Sequence, residues 1–277
     1  MRRLTSLEDV ERACTHIDRV EVGEHYVVAQ CDHATLAAAL RTEVVMVDAL
    51  VVDAPYSEKT HAGHNVTLSG RSTIDYASWA VEDVRAFVDD WHALVRGWLG
   101  TITDTDLMHP WTDALETAGR YAFSPLACVE SGSRFRPTGD GPAQWSTWLV
   151  VSRPRSSEWV KWATIEARAA RGATPLPGAY VGPSERKDVT GGKPMWLMRA
   201  IVGDYSAPGD LVCDPCMGAG TTLVAAVELG RRAIGCEPDP GRYAMACKRI
   251  AAARPQLRMR FDVDESPREQ LSMGDDK

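Results

Sequence analysis

No stretch of the 277-residue chain approaches the roughly 20 apolar residues that a membrane helix needs, and the most apolar run, Val44 to Val52, is short and broken by Asp48. Met1 to Val20 mixes both charges and holds no apolar segment, so no secretory leader is expected and the expected location is the cytoplasm. Cysteine is scarce and scattered: seven, an odd number, fit reduced thiols better than a disulfide framework. The single C-x-x-C, Cys213 to Cys216, has no second pair to complete a four-ligand zinc site, so both cysteines read as packing residues and no metal is expected. There is no internal repeat. With 44% hydrophobic and 25% charged residues, the composition excludes wholesale disorder, collagen and coiled coil. The length suits one α/β domain with or without a small insertion.

Basic charge is in deficit overall, 31 Lys and Arg against 38 Asp and Glu for a net −7, which argues against a surface coated for a polyanion. Its distribution differs. From Ser131 to Ala200 eleven basic residues face five acidic ones, a local +6 that leaves −13 for the remainder. A polyanion would be drawn to one face and repelled by the rest, as in a groove; chance clustering on a solvated surface is the alternative.

Hydrophobic spacing predicts alternating strands and helices. His25 to Asp32 and Val44 to Val52 read as strands joined by a helix at Ala34 to Leu40, a βαβ unit. Asp53 to Ser78 is polar and reads as a long loop. Helical spacing returns from Trp79 to Trp98, then a strand at Thr101 to Thr105, a helix at Trp111 to Ala118, and strands at Arg120 to Val129 and Gln144 to Ser152. Arg153 to Gly192 scatters prolines and glycines among charges, the mark of an insertion with little core. Helices are expected at Pro194 to Val202, Thr221 to Leu229 and Pro240 to Ala253, and strands at Asp210 to Asp214 and Arg232 to Glu237. After Pro255 a loose tail is expected, and Trp145, Trp148 and Trp196 read as core. The fold class is α/β, a doubly wound, mostly parallel sheet.

Asp214-Pro-Cys-Met-Gly-Ala-Gly-Thr-Thr222 falls where a strand ends and a helix begins, the edge at which such sheets bind ligands. Gly218 and Gly220 let a ligand approach the backbone, and the helix start offers N–H donors. The pattern is neither G-x-G-x-x-G nor a P-loop, because no third glycine and no phosphate-binding lysine follow. A nucleoside site without a phosphate requirement remains. Glu237, at the tip of the next strand, is placed to accept hydrogen bonds from a ribose diol. Asp32 fits either a contact to the ligand's adenine amine or a helix cap.

Asp214 to Thr222 resembles motif I, D-P-F-x-G-S/T-G-T-T, of the amino-directed DNA methyltransferases, and Asp53-Ala-Pro-Tyr56 resembles their motif IV, D-P-P-Y. The catalytic motif precedes the cofactor motif, as in the β-group of that family; Lys193-Pro194 resembles the start of motif X, and the likeness runs from about Glu24 to Ala253. The resemblance implies an S-adenosylmethionine-dependent, Rossmann-like fold with circularly permuted motifs and a small insertion. It divides the chain into a catalytic half (1–152), a short target-recognition insertion (153–192), a cofactor-binding half (193–255) and an acidic tail (256–277). It implies that Asp32, Lys193, Asp214, Cys216, Met217, Gly218, Gly220, Thr221, Thr222 and Glu237 hold the cofactor.

An exocyclic base amine is a poor nucleophile because its lone pair is delocalised, so an enzyme must orient it and draw its protons toward acceptors. By the resemblance these acceptors are the Asp53 side chain and the Ala54 carbonyl, with Tyr56 stacking on a base flipped out of the duplex and Pro55 fixing the turn. Ala54 stands where the family has proline, which loosens the turn. Asp at the first position favours adenine N6 over cytosine N4, where the family more often has Ser. The expected activity is N6-adenine methylation of DNA at a short or loosely read site, as in bacterial or phage modification systems. The alternatives are cytosine-N4 methylation, an RNA or protein-amide methyltransferase, or an idle DNA-binding homologue. Lys59, His61, His64 and Arg71 read as a loop that closes over DNA or is merely solvated. Arg134, Arg136, Arg153, Arg155 and Lys161 are the candidate DNA contacts of the basic stretch, and either a monomer or a homodimer is compatible.

Overall fold

Runs of four or five small or branched apolar residues, apolar on both faces, suit strands covered by helices on both sides. The computed structural model describes residues 5–65, 76–131, 147–156, 176–185 and 192–255, with the side chains of 63–65 left outside the described set. In chain order the elements begin with α1 (Leu7–Ala13), β1 (Val20–Gly23), β2 (Tyr26–Ala29), α2 (His33–Thr42), β3 (Ala49–Asp53) and α3 (Glu58–Asn65). Next come α4 (Val81–Trp91), β4 (Leu99–Thr103), α5 (Met108–Thr117), β5 (Arg120–Ala122), β6 (Leu126–Ser131), β7 (Thr147–Pro154) and β8 (Ala179–Pro183). The chain continues through α6 (Met195–Tyr205), β9 (Leu211–Asp214), α7 (Thr221–Glu228), β10 (Arg232–Cys236) and α8 (Pro240–Ala252).

The strands form one sheet in the order β1-β2-β10-β9-β3-β4-β7-β6-β8, with β5 also on β7. The five from β2 to β4 are parallel, whereas β1, β5 and β7 run antiparallel to their neighbours. The predicted strand-helix-strand unit exists as β2, α2 and β3, but β10 and β9 from the far end of the chain lie between its two strands. From β9 the chain crosses through α7 to β10 on one side; from β3 it crosses through α4 to β4 on the other. Neighbouring β9 and β3 therefore mark the switch point, where a crevice opens at the carboxyl ends.

Two apolar cores cover the sheet. One joins Leu36, Leu40, Phe87, Trp91, Trp111 and Leu115 to Leu50 and Val52, and so seats α2, α4 and α5. The other joins Leu197, Met198, Ile201, Leu223, Ala226 and Ile250 to Val51 and Ile102, seating α6, α7 and α8 on the opposite face. Each fully buried Leu or Ile contributes about 1.5–3 kcal/mol through water exclusion. α2 starts where the Asp32 side chain accepts from Thr35 N–H at 2.7 Å, so this residue acts as a cap.

Several predicted elements differ in extent. The helix expected from Trp79 to Trp98 ends at Trp91, because Val47 N–H donates to the Leu94 carbonyl and Arg96 N–H to the Val47 carbonyl, each at 2.9 Å. That bridge draws Val95 out of the helical period. The strand expected from Val44 begins at Ala49, since Val44 is 80% exposed in a left-handed turn after α2. The strand expected over Arg120 to Val129 is two strands, broken before Leu126 by Pro125 and paired to opposite ends of β7. α3 falls inside the expected loop, and β8, inside the expected insertion, pairs with β6. Trp148 and Trp196 lie half-buried at the sheet, while Trp145 and the tail from 256 lie outside the described residues. Among the described residues no helix is long and apolar enough to cross a membrane.

Candidate active site

Each central parallel strand delivers an acid at or just beyond its carboxyl end: Asp32 after β2, Glu237 after β10, Asp214 on β9, Asp53 on β3 and Asp104 after β4. Register pairs Leu50 with Cys213, so Asp53 and the turn after Asp214 emerge side by side at the switch point. Asp214 is 1% exposed, and burial, reinforced by the charges of Asp53 and Glu237, pushes its carboxyl up to about 7 against bonds from Thr222 and Cys216 N–H. Burial likewise raises Glu237, opposed by the N–H groups of Asp239 and Gly218. Asp53, Asp214 and Glu237 thus gather at the carboxyl edge beside the switch point, with Lys193 at Asp53 and Arg242 at Glu237.

The glycine turn is closed by its own backbone. Gly220 N–H donates to the Met217 carbonyl at 2.7 Å, and Met217 N–H donates to the Cys236 carbonyl at 3.1 Å. Cys216 N–H reaches Asp214 at 3.1 Å, and Gly218 N–H reaches Glu237 Oε2 at 3.1 Å. Both glycines have positive φ, +51° at Gly218 and +79° at Gly220, a region L side chains rarely adopt. They differ in surroundings. A Cβ at Gly220 would meet Ala246 and Ile250 of α8 at 3.1–3.2 Å, so that glycine serves close packing. A Cβ at Gly218 would meet nothing within 4 Å, leaving room for a ligand against the backbone. Thr221 Oγ1 accepts from Arg249, and Thr222 is buried beneath Asp214.

The Asp53 carboxylate is engaged at both oxygens. Tyr56 hydroxyl donates to Oδ1 at 3.2 Å and Lys193 Nζ to Oδ2 at 2.6 Å. Lys193 Nζ also lies 4.9 Å from the centre of the Tyr56 ring. Lys193, expected among the residues that hold the cofactor, stands at the Asp53 to Tyr56 turn, delivered there by the start of α6. Ala54 and Tyr56 are buried.

Sequence reasoning missed two residues here. Asp104 accepts from Ser57 N–H at 2.9 Å, from Ser57 Oγ and Thr60 Oγ1 at 2.6 Å each, and from Leu107 N–H at 3.0 Å. An acid near the carboxyl end of the strand expected at Thr101 to Thr105 was its signal. Tyr76 meets His61 edge-on at 5.1 Å and lies 5.1 Å from the Arg242 guanidinium, whose neighbour at 3.9 Å is Glu237. Partial burial and the charges of Asp53 and Glu237 push the Tyr76 hydroxyl up to about 12, so it stays protonated. No sequence pattern marked it.

The candidate DNA contacts divide. Lys59 is exposed on α3 and pairs with Asp106 at 3.4 Å, and His61 is buried against Tyr76. Arg153 and Arg155 are not brought to the crevice. Ser152 pairs with Leu99 and Trp148 with Thr103, so the two arginines sit at the amino edge, about 13 Å along the strands from the acids. Their guanidiniums lie 4.7 and 5.2 Å from the Tyr121 ring, which holds them there. Arg71, Arg134, Arg136, Lys161 and the His64 side chain lie outside the described residues. Among the described residues no group of His, Cys, Asp and Glu could hold a metal.

Residues 140–248 match the family described as DNA methylase, of N6 and N4 methyltransferases. Over 71 residues, 26% of this chain, there is 35% identity to Type II methyltransferase M.MjaI of Methanocaldococcus jannaschii, and the match covers 23% of that protein. The chain spans about a quarter or less of the length of the curated relatives it matches. The crystal structure of the M1.HpyAVI–SAM complex has a TM-score of 0.59 at 20% identity, over 81% of this chain and 98% of that one. The cytosine-N4-specific PvuII DNA methyltransferase has a TM-score of 0.53 at 11% identity, over 83% and 87%. At these identities the likeness is one of fold.

Proposed function

We propose that the chain is an amino-directed DNA methyltransferase of the N6 and N4 kind, as the family match over residues 140–248 supports, and that it methylates an exocyclic base amine of DNA, adenine N6 by preference, using S-adenosylmethionine. The observation that carries the reading is the meeting of Asp53 and the Gly218 turn at neighbouring strand ends. S-adenosylmethionine supplies, when bound, a methyl group on a positively charged sulfur. The crevice fits such a group: open space at Gly218 and a buried carboxyl at Glu237 for a diol.

On this reading Asp53 and the Ala54 carbonyl accept the two N–H groups of the flipped base, which frees its lone pair toward the crevice. Tyr56 offers its ring for stacking, offsetting part of the cost of unstacking the base. Lys193 donates to Asp53 Oδ2 at 2.6 Å and Tyr56 to Oδ1 at 3.2 Å, and together they fix the orientation of the carboxylate. On this reading the aspartate serves as an acceptor of hydrogen bonds. Asp at the head of the turn supports adenine. Incubation with labelled cofactor and unmethylated duplex DNA, then nucleoside analysis, tests the whole. N6-methyladenine is expected; N4-methylcytosine overturns the choice of base, and label in RNA or protein but not DNA overturns the choice of substrate.

A further inference from the structure

We propose that Asp104 is a positioning residue for the methyl-accepting turn: its hydrogen bonds to Ser57 and Thr60 hold the backbone after Tyr56 in place, so that Ala54 is tolerated where the resemblance has proline. The inference rests on the reading of Asp53 to Tyr56 as that turn. One carboxylate oxygen of Asp104 takes three donors, Ser57 N–H at 2.9 Å and the Ser57 and Thr60 hydroxyls at 2.6 Å. The other takes Leu107 N–H at 3.0 Å, which ties the clamp to the start of α5. Asp104 and Ser57 are both buried.

Burial alone would raise this carboxyl, yet the bonds from Ser57, Thr60 and Leu107 outweigh it and hold it below the usual range. The bonds are therefore charge-assisted, about twice as strong as neutral ones. Ser57 follows Tyr56 directly, and Tyr56 in turn donates to Asp53. Asp104 hence fixes the far end of a turn whose near end is the last residue of β3. A proline at 54 would fix one φ covalently; here the restraint comes from tertiary structure, from the neighbouring strand. The donors to Asp104 come from Ser57, Thr60 and Leu107, so its influence belongs to the base side of the crevice.

Asp104→Asn keeps the size and removes the charge. With the full-length protein, kcat is expected to fall about 10- to 100-fold, the scale of a misplaced reacting group, with KM for the cofactor unchanged. Ala54→Pro introduced into that variant is expected to raise kcat by a larger factor than it changes the wild type. Amide exchange followed by mass spectrometry reads the clamp without catalysis: residues 54–60 lose protection in Asp104→Asn while β9 and α7 keep theirs. Unchanged kcat and exchange would overturn the proposal, as would a kcat loss that Ala54→Pro leaves untouched. If Asp104→Asn fails to fold, Ser57→Ala carries the same two readouts with a smaller effect. A wild type that methylates nothing would sink the functional reading while leaving the exchange result to judge the clamp.

Discussion

The two turns that meet at the switch point are held by different means. The Asp214 to Thr222 turn is closed by near neighbours in sequence: Met217 to Gly220, Asp214 to Cys216, and Glu237 only 19 residues beyond Gly218. The Asp53 to Tyr56 turn is held from afar, by Lys193 at a separation of 140 residues and by Asp104 at 47 from Ser57. A conformation set locally must be written locally, in glycines with positive φ and small residues under a helix start. One set by tertiary partners can exchange a proline for Ala54 and keep its shape.

The largest expected effects separate the two turns. Asp53→Asn keeps an acceptor for Lys193 but loses the charge that the proposed function sets against the base amine. Methyl transfer should fall by about 10³-fold or more, while calorimetric affinity for S-adenosylmethionine stays within about twofold. Gly218→Ala should do the reverse. The added methyl enters open space and strains a φ of +51°, so cofactor affinity drops about tenfold or more while kcat at saturation changes little. If Asp53→Asn loses affinity as well, the turns form one unit and the contrast between them fails.

The same contrast explains what could be read from the sequence. The alternation of strands and helices was legible, because strand length and helical spacing are local. So was the glycine turn, and so was Glu237, one strand later at the same edge. The antiparallel flank was not: β5, β6 and β7 pair through choices that depend on Pro125 breaking one apolar run into two. The end of α4 was illegible for a like reason, since Leu94 and Val95 carry helical spacing and leave it only because Val47 waits alongside. Lys193 could be placed only by knowing that α6 starts over β3. Arg153 and Arg155 misled for the opposite reason, because charge composition carries no information about which end of β7 they occupy.

A smaller effect concerns the charge stored under the local turn. A carboxyl whose folded pKa stands above its unfolded value binds its proton more tightly in the fold, so stability falls as pH rises between the two values. For Asp214 the window runs from 3.8 to about 7, a loss on the order of a few kcal/mol. Asp214→Asn cannot ionise. Its melting temperature should match the wild type near pH 4 and exceed it increasingly up to pH 7, then by a constant amount. A difference that does not vary with pH would mean that the Asp214 charge is better solvated than its burial implies.

The smallest effect is expected at the amino edge. Arg153 lies over the rings of Tyr121 and Phe123, and Arg155 lies over Tyr121 and donates to the Arg120 carbonyl at 3.0 Å. These partners commit both guanidiniums to β5 and the segment after it, at the end of the sheet remote from Asp53. A duplex engaged at the carboxyl edge would have to extend along the length of the strands to reach them. The double variant Arg153→Ala, Arg155→Ala should therefore bind DNA with an unchanged dependence of log Kd on log salt, and transfer methyl groups at a rate within about twofold of the wild type. An arginine that neutralises a phosphate steepens that dependence by about one, and its removal flattens the slope by the same amount. A slope flatter by about two would mean that DNA engages both edges of the sheet, and the division between a reactive edge and a structural one would no longer hold.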